Sequence, residues 1–430
     1  MQKRPGHNRD VLFLYHQATM KKIFTNYLAN FRGLSREIWL LSLVTFINRA
    51  GAMVIPFLSL YLINVEGFSL PQIGWIMSCF GLGSLVGTYI GGRLTDSIGF
   101  YKVLLSSLLL GGVGFILLQY INSFYGFCVG IFLLTLMTDA GRPAIFVAAD
   151  AYCKPGNITR GIALIRLAIN LGFSIGPLVG GLIIAHINYT ALFWIDGLTC
   201  MLASLGVFLL LKPKTLEASH EINKGVKEGV PPYLNKLFLF FFVIMIAYSL
   251  AFVQYFSVMP VFYEKVHFLS EDIIGWLFFI NGATIVIFEM PLIAWLDGKK
   301  ISKTMATFWG IFFLGLSFLV LNFTNWSGIL IIAMFLMSLG EMIGFPFSNA
   351  LALGMAPKGR KGSYMALYSM SFSIAHLIGH NGGMNLVDSF GYFNTWTLFS
   401  IFLLFIAVLT LWLYFMLKKS IAESAAAPNL

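Results

Sequence analysis

Residues 160–185 read RGIALIRLAINLGFSIGPLVGGLIIA, an apolar run long enough to cross a bilayer that nevertheless carries Arg166 and Asn170. Beyond these two, Gly172, Gly176 and Gly180 recur at every fourth position, with Pro177 and Gly181 interrupting the series. Spacing by four puts the glycines on one helical stripe, where a second backbone can approach closely. A charged side chain at the centre of a spanning helix costs about 3 kcal/mol on insertion scales, so Arg166 calls for a role. The stretch reads as one helix of a moving, water-accessible machine, with its glycine stripe expected to slide against the other half of the molecule.

The rest of the chain supports a membrane reading. Of 430 residues, 58% are hydrophobic and only 11% charged, whereas soluble domains run at roughly a quarter charged. Apolar runs of spanning length fall near 38–63, 73–95, 103–121, 125–149, 160–185, 190–211, 237–262, 272–296, 303–322, 327–351, 362–386 and 393–417. A charged linker, residues 212–236, separates the first six from the last six. The expected fold is an all-α polytopic membrane protein of twelve transmembrane helices in two six-helix bundles. The bundles cover 38–211 and 237–417, flanked by a basic segment at 1–37 and a tail at 418–430.

Charge placement sets the orientation. Of the 28 Lys and Arg, all but Arg49, Arg142, Arg166 and Lys265 fall in the termini, the linker or loops on the same side. That asymmetry puts both termini in the cytoplasm, with a bacterial inner membrane as the expected location. The net charge of +10 therefore belongs to loops, and nucleic acid is not an expected partner. Met20-Lys21-Lys22 reads as a start, with residues 1–19 as an upstream extension.

The halves are a repeat. Ser69, Gly74, Trp75, Gly81 and Asp96 match Ser270, Gly275, Trp276, Gly282 and Asp297 at a constant offset of 201 residues. The same offset takes Gly161 to Gly362 and Gly181 to Gly382. Two parallel bundles joined by a linker predict alternating access around a site near the membrane midplane.

In its topology and in two motifs, the chain resembles the major facilitator superfamily. Gly92-Arg93-Leu94-Thr95-Asp96-Ser97-Ile98-Gly99 is similar to that superfamily's loop signature, although Phe100 and Tyr101 stand where a basic pair is usual. Gly172 to Gly181 is similar to the motif of its drug–proton antiporters. The resemblance implies that spans one, four, seven and ten line a central cavity. Arg49, Asp139, Arg142, Gln254, Tyr255 and Glu341 would then face it. Phe252, Phe256 and Phe345 are candidates for an apolar lining. The resemblance also packs span five on span eight, which would set the Gly172–Gly180 stripe against span eight and bring Glu289 near Arg166. Asp96, with Gly92 and Gly99, would serve as a gating loop.

Intramembrane ionisable groups are the functional candidates. The cations Arg49, Arg142 and Arg166 fall in the first half, whereas Glu289, Glu341 and His376 fall in the second. Asp139 and Arg142 lie three apart, close enough to pair within the helix. Glu341 has no basic neighbour within a helical turn, so it is the first candidate for proton coupling, with Asp139 second. A carboxylate carried between water and a dry cavity changes its proton affinity. His376 titrates near neutrality when solvated, although a packing role is the commoner fate of such a residue. Cys79, Cys128, Cys153 and Cys200 show no metal-ligand spacing, and no nucleophile–base set or phosphate loop appears. A monomeric transporter is expected, with a small molecule, protons and the bilayer as partners and with no cofactor, metal or enzymatic activity. Export of a small, partly apolar compound leads. Import of an anionic nutrient, recognised by Arg49 and Arg142, is the alternative.

Overall fold

The fold is that of a computed structural model describing residues 33–154, 158–214, 230–324, 326–357 and 361–426. Residues 1–32, with the proposed start, and most of the linker lie outside the described residues. Among the described residues, eleven helical stretches are long and apolar enough to cross a membrane. The last, Tyr364–Ser420, is 57 residues long and bends at Gly391, so it supplies spans eleven and twelve. Gly391 takes φ 74°, a left-handed conformation open to glycine, so a single residue does the work of the expected loop.

Short polar signals start the helices. At span two (Leu70–Ile98) the Gln72 side-chain oxygen accepts from the Ser69 backbone N–H at 3.0 Å, half of a capping box. Asn235 accepts from the Phe238 N–H at 3.1 Å to open span seven, and Ser302 accepts from the Met305 N–H at 3.2 Å to open span nine. Span two runs on to Ile98, so the motif expected as a loop is the last turns of a helix. Only Gly99, at φ 88°, breaks the chain before span three (Phe100–Leu118).

Three spans are interrupted near mid-membrane. Span one divides into Arg36–Ala50 and Val54–Asn64, span four into Phe124–Asp139 and Gly141–Tyr152, and span seven into Lys236–Phe252 and Gln254–His267. In span four, Pro143 has no N–H to give the Asp139 carbonyl, which accounts for the kink. Irregular backbone at this depth is tolerated where it faces protein or a cavity, and these spans line the cavity described below.

The repeat is visible in the packing. Span two meets span eleven where a Cβ on Gly74 would lie 2.9 Å from Asn381 Cα and one on Gly81 2.5 Å from the His376 backbone. The sister seam joins span eight (Glu271–Gly298) to span five (Ile158–His186). There Gly275 rests on Pro177 and Leu178, and Gly282 on Ser174. At the end away from the linker the pseudo-symmetry closes on itself. Lys265 donates to Asn64, its own counterpart 201 residues earlier, at 3.0 Å. Asn64 in turn donates to Glu264 at 2.9 Å. Tyr189 completes the seal by donating to Glu271 at 2.8 Å. Burial, and then the bond to Glu271, push the Tyr189 hydroxyl's titration upward, so it stays a donor.

The glycine stripe faces a different neighbour from the one expected. A Cβ on Gly172 would meet Arg49, one on Gly176 the carbonyls of Arg49 and Ala50, and one on Gly180 Met53 and Phe57. The stripe therefore seats span one of its own bundle. Contact with the opposite half falls to Ser174, Pro177 and Gly181, with Gly181 set against the Glu271 backbone. The two sets lie on different faces of the helix, and spacing alone does not say which face meets which neighbour.

Candidate functional site

A cavity of about 400 Å³ lies between the bundles. Its first-bundle wall carries Arg49, Asp139 and Arg142, and its second-bundle wall carries Glu341, His376 and His380. Phe80, Phe173, Phe252, Phe256 and Phe278 supply aromatic surface. Phe345 stands one layer back, its ring 4.8 Å from that of Phe252.

On the first-bundle wall, Arg142 Nε lies 2.8 Å from Asp139 Oδ1, leaving Oδ2 without a partner. The Arg142 side chain is 49% exposed. Arg49 sits just before the break in span one, its guanidinium 5.3 Å from the centre of the Phe173 ring. Its Nε is buried and unpartnered. On the opposite wall, Asn281 donates to Glu341 at 3.4 Å and to Ser338 at 2.9 Å. Among the described residues, Glu341 makes no ion pair. His376 Nδ1 and His380 Nε2 are hydrogen-bonded at 2.9 Å, and the Phe80 ring packs against both imidazoles.

Two expected lining residues are elsewhere. Gln254 donates to the carbonyls of Leu250 and Gly379 at 2.8 and 2.9 Å, turned into its own bundle. Tyr255 donates to Ser317 at 2.8 Å, on span nine. Both are fully buried, because the kink at Val253 turns the first residues after it away from the cavity.

Arg166 and Glu289 face each other across the halves on the linker side of the cavity, 3.9 Å apart, with Arg166 58% exposed. The Asp96 side chain lies outside the described residues, and a Cβ at Gly92 would meet nothing within 4 Å. The cross-bundle seal at Asn64, Lys265, Tyr189 and Glu271 has no counterpart of similar density at the linker end among the described contacts.

Asp196 in span six is a site residue that patterning missed. Fully buried, it accepts from the backbone N–H of Met53 at 2.8 Å and of Val54 at 2.9 Å. It therefore caps the second half of span one, where the helix end concentrates positive potential. A carboxylate alone in an apolar span was the available signal. His380 and Asn281 were also overlooked, being uncharged residues inside glycine-rich helices.

The family model described as Major Facilitator Superfamily matches residues 38–270 and 237–429. The chain belongs to this superfamily. Within the superfamily it is 23% identical over 415 residues to a Na(+), Li(+), K(+)/H(+) antiporter of Planococcus maritimus, covering 87% of this chain and 94% of the relative. It is 20% identical over 343 residues to the multidrug resistance protein MdtH of Proteus mirabilis strain HI4320, covering 78% and 83%. The fold matches that of a variant of the nucleoside transporter NupG with TM-score 0.75 at 12% identity, covering 88% of this chain and 99% of the other. This superfamily member is thus a multi-pass membrane transporter, with a two-bundle cavity of the size that holds small organic ligands.

Proposed function

We propose that the protein exports a small, partly apolar organic compound, preferably cationic, in exchange for protons, working as a monomer in a bacterial inner membrane with both termini cytoplasmic. The observation that carries this reading is Glu341, a carboxylate on a cavity wall with no cation beside it, held by the Asn281 amide near Phe252, Phe256 and Phe278. Aromatic faces attract cations, and an unpaired carboxylate completes such a seat. A proton and a cationic cargo then compete for one carboxylate, which makes exchange obligatory. Relatives named as a multidrug resistance protein and as a cation/proton antiporter agree with this chemistry. In proteoliposomes, Glu341→Gln abolishes cargo uptake driven by a pH difference while insertion is preserved. Uptake by that variant at the wild-type rate overturns the reading.

One observation favours a second reading, import of a carboxylate with a proton. The buried Arg49 Nε has no partner, and Arg142 is half exposed, so the first-bundle wall has donors to offer an anion. Arg49→Ala removes carboxylate binding on that reading, whereas an exporter of cations retains its cargo affinity.

A further inference from the structure

The two seams between the bundles are repeat equivalents in sequence, and one chemical difference between them falls at the height of the cavity. On the seam of spans five and eight, the positions equivalent to His376 and His380 are Ile175 and Val179. Packing at this seam therefore needs no imidazole, and the histidines are not explained as fillers. Across the interface the roles are also exchanged. Phe80 of span two covers the histidine pair, whereas its repeat equivalent Asn281 of span eight holds Glu341. One seam thus carries the histidine pair, covered by Phe80 of the opposite bundle, and the other supplies Asn281 to Glu341 of span ten in the same bundle.

The bond between the two rings limits what the pair can hold. Two imidazole nitrogens 2.9 Å apart share one N–H, one ring donating and the other accepting. A neutral pair carries two protons on four ring nitrogens, and it takes up a third without losing this bond. A fourth would face N–H against N–H. The pair is therefore a one-proton acceptor. The Nδ1 of His380 is buried without a partner, leaving this side of the pair unsatisfied in the present state. The charged groups sharing the cavity are Arg49 of span one, Asp139 and Arg142 of span four, Asp196 of span six, which is bonded to the Met53 and Val54 N–H groups, and Glu341 of span ten. Span two sets the uncharged Phe80 against both rings, and span seven brings the uncharged Gln254, bonded to Gly379 beside His380. Span two lies so close at Gly81 that its backbone abuts that of His376. Rocking of the bundles moves span two relative to span eleven and so uncovers or covers the pair once per cycle.

We propose that His376 and His380 carry a second proton through the transport cycle, in addition to the one exchanged at Glu341, so that two protons move against one monovalent cationic cargo. The step forms and breaks only an N–H bond, with the proton taken from water on one side and returned to water on the other. It rests on the proposed exchange at Glu341, and its consequence is electrical. One-for-one exchange of a proton for a monovalent cation moves no net charge, whereas two-for-one moves one positive charge with the protons.

The test uses purified full-length protein in proteoliposomes with benzyltrimethylammonium, an aromatic monovalent cation that crosses bare lipid slowly, as cargo and protein-free vesicles as the baseline. With equal pH on both sides, a potassium–valinomycin potential of 100 mV, negative on the side that receives protons, drives the cargo out against its gradient by up to about 50-fold for one net charge per cycle. In the H376Q/H380Q variant, whatever exchange remains responds to a pH difference and not to the potential. If the double variant folds poorly, H376N/H380N, which also removes both imidazoles, is read in the same way. Wild-type exchange indifferent to the potential overturns the proposal, as does an unchanged response in the variant. Loss of all exchange in E341Q, measured in the same vesicles, tests the underlying reading separately.

Discussion

The two walls of the cavity treat charge in opposite ways. On the first-bundle wall, Asp139 and Arg142 are paired at 2.8 Å, and Asp196 is committed to two backbone N–H groups of span one. On the second-bundle wall, among the described residues, Glu341 is hydrogen-bonded only by the Asn281 amide, and the histidines only by each other. On the proposed reading, the fixed pairs hold a shape and the groups without counter-ions exchange protons or cargo. The first bundle is then chiefly the frame of the site and the second its working face; Arg49, whose Nε has no partner, is the exception on the first wall.

Glu341→Gln is expected to have the largest effect, taking transport driven by a pH difference to the level of empty vesicles. Retained transport would move the working face elsewhere. Next comes Asp196→Ala, which leaves two buried N–H groups without an acceptor and should destabilise the protein by about 1–3 kcal/mol. Thermal unfolding in detergent measures this, and a transport defect in a fully stable variant would make Asp196 part of the chemistry instead.

The seams offer a matched pair of replacements. Gly181 and Gly382 are repeat equivalents, but Gly181 lies against the Glu271 backbone while Gly382 has nothing within 4 Å of a Cβ. Gly181→Val should hinder closure of the end away from the linker, cutting transport by roughly 5- to 150-fold if the clash raises that state by the ~1–3 kcal/mol usual for overpacking. Gly382→Val should stay near wild type. Equal effects would mean that the two seams are not used differently. The smallest change is expected from Glu289→Gln. Its partner Arg166 is more than half exposed and 3.9 Å away, and such pairs contribute about 0–1 kcal/mol.

Much of this arrangement could be read from sequence. Hydropathy located the spans, the constant offset exposed the repeat, and three-residue spacing put Asp139 beside Arg142. What escaped depended on rotation about helix axes. The stripe of Gly172, Gly176 and Gly180 was evident, but not that it faces span one while Gly181, one residue on, faces span eight. Their span predicts Gln254 and Tyr255 at the cavity, and the break at Val253 turns them away. Asp196 became meaningful only once the break at residues 51–53 left N–H groups for it to cap.

The contrast between a fixed and an exchangeable wall is tested most directly by binding of tetraphenylphosphonium to purified protein across pH. If the cation and a proton compete for Glu341, affinity rises with pH by up to about tenfold per unit for each proton displaced. In Glu341→Gln the affinity should fall sharply and this rise should flatten. Tight binding in that variant, with the wild-type dependence on pH, would contradict the account.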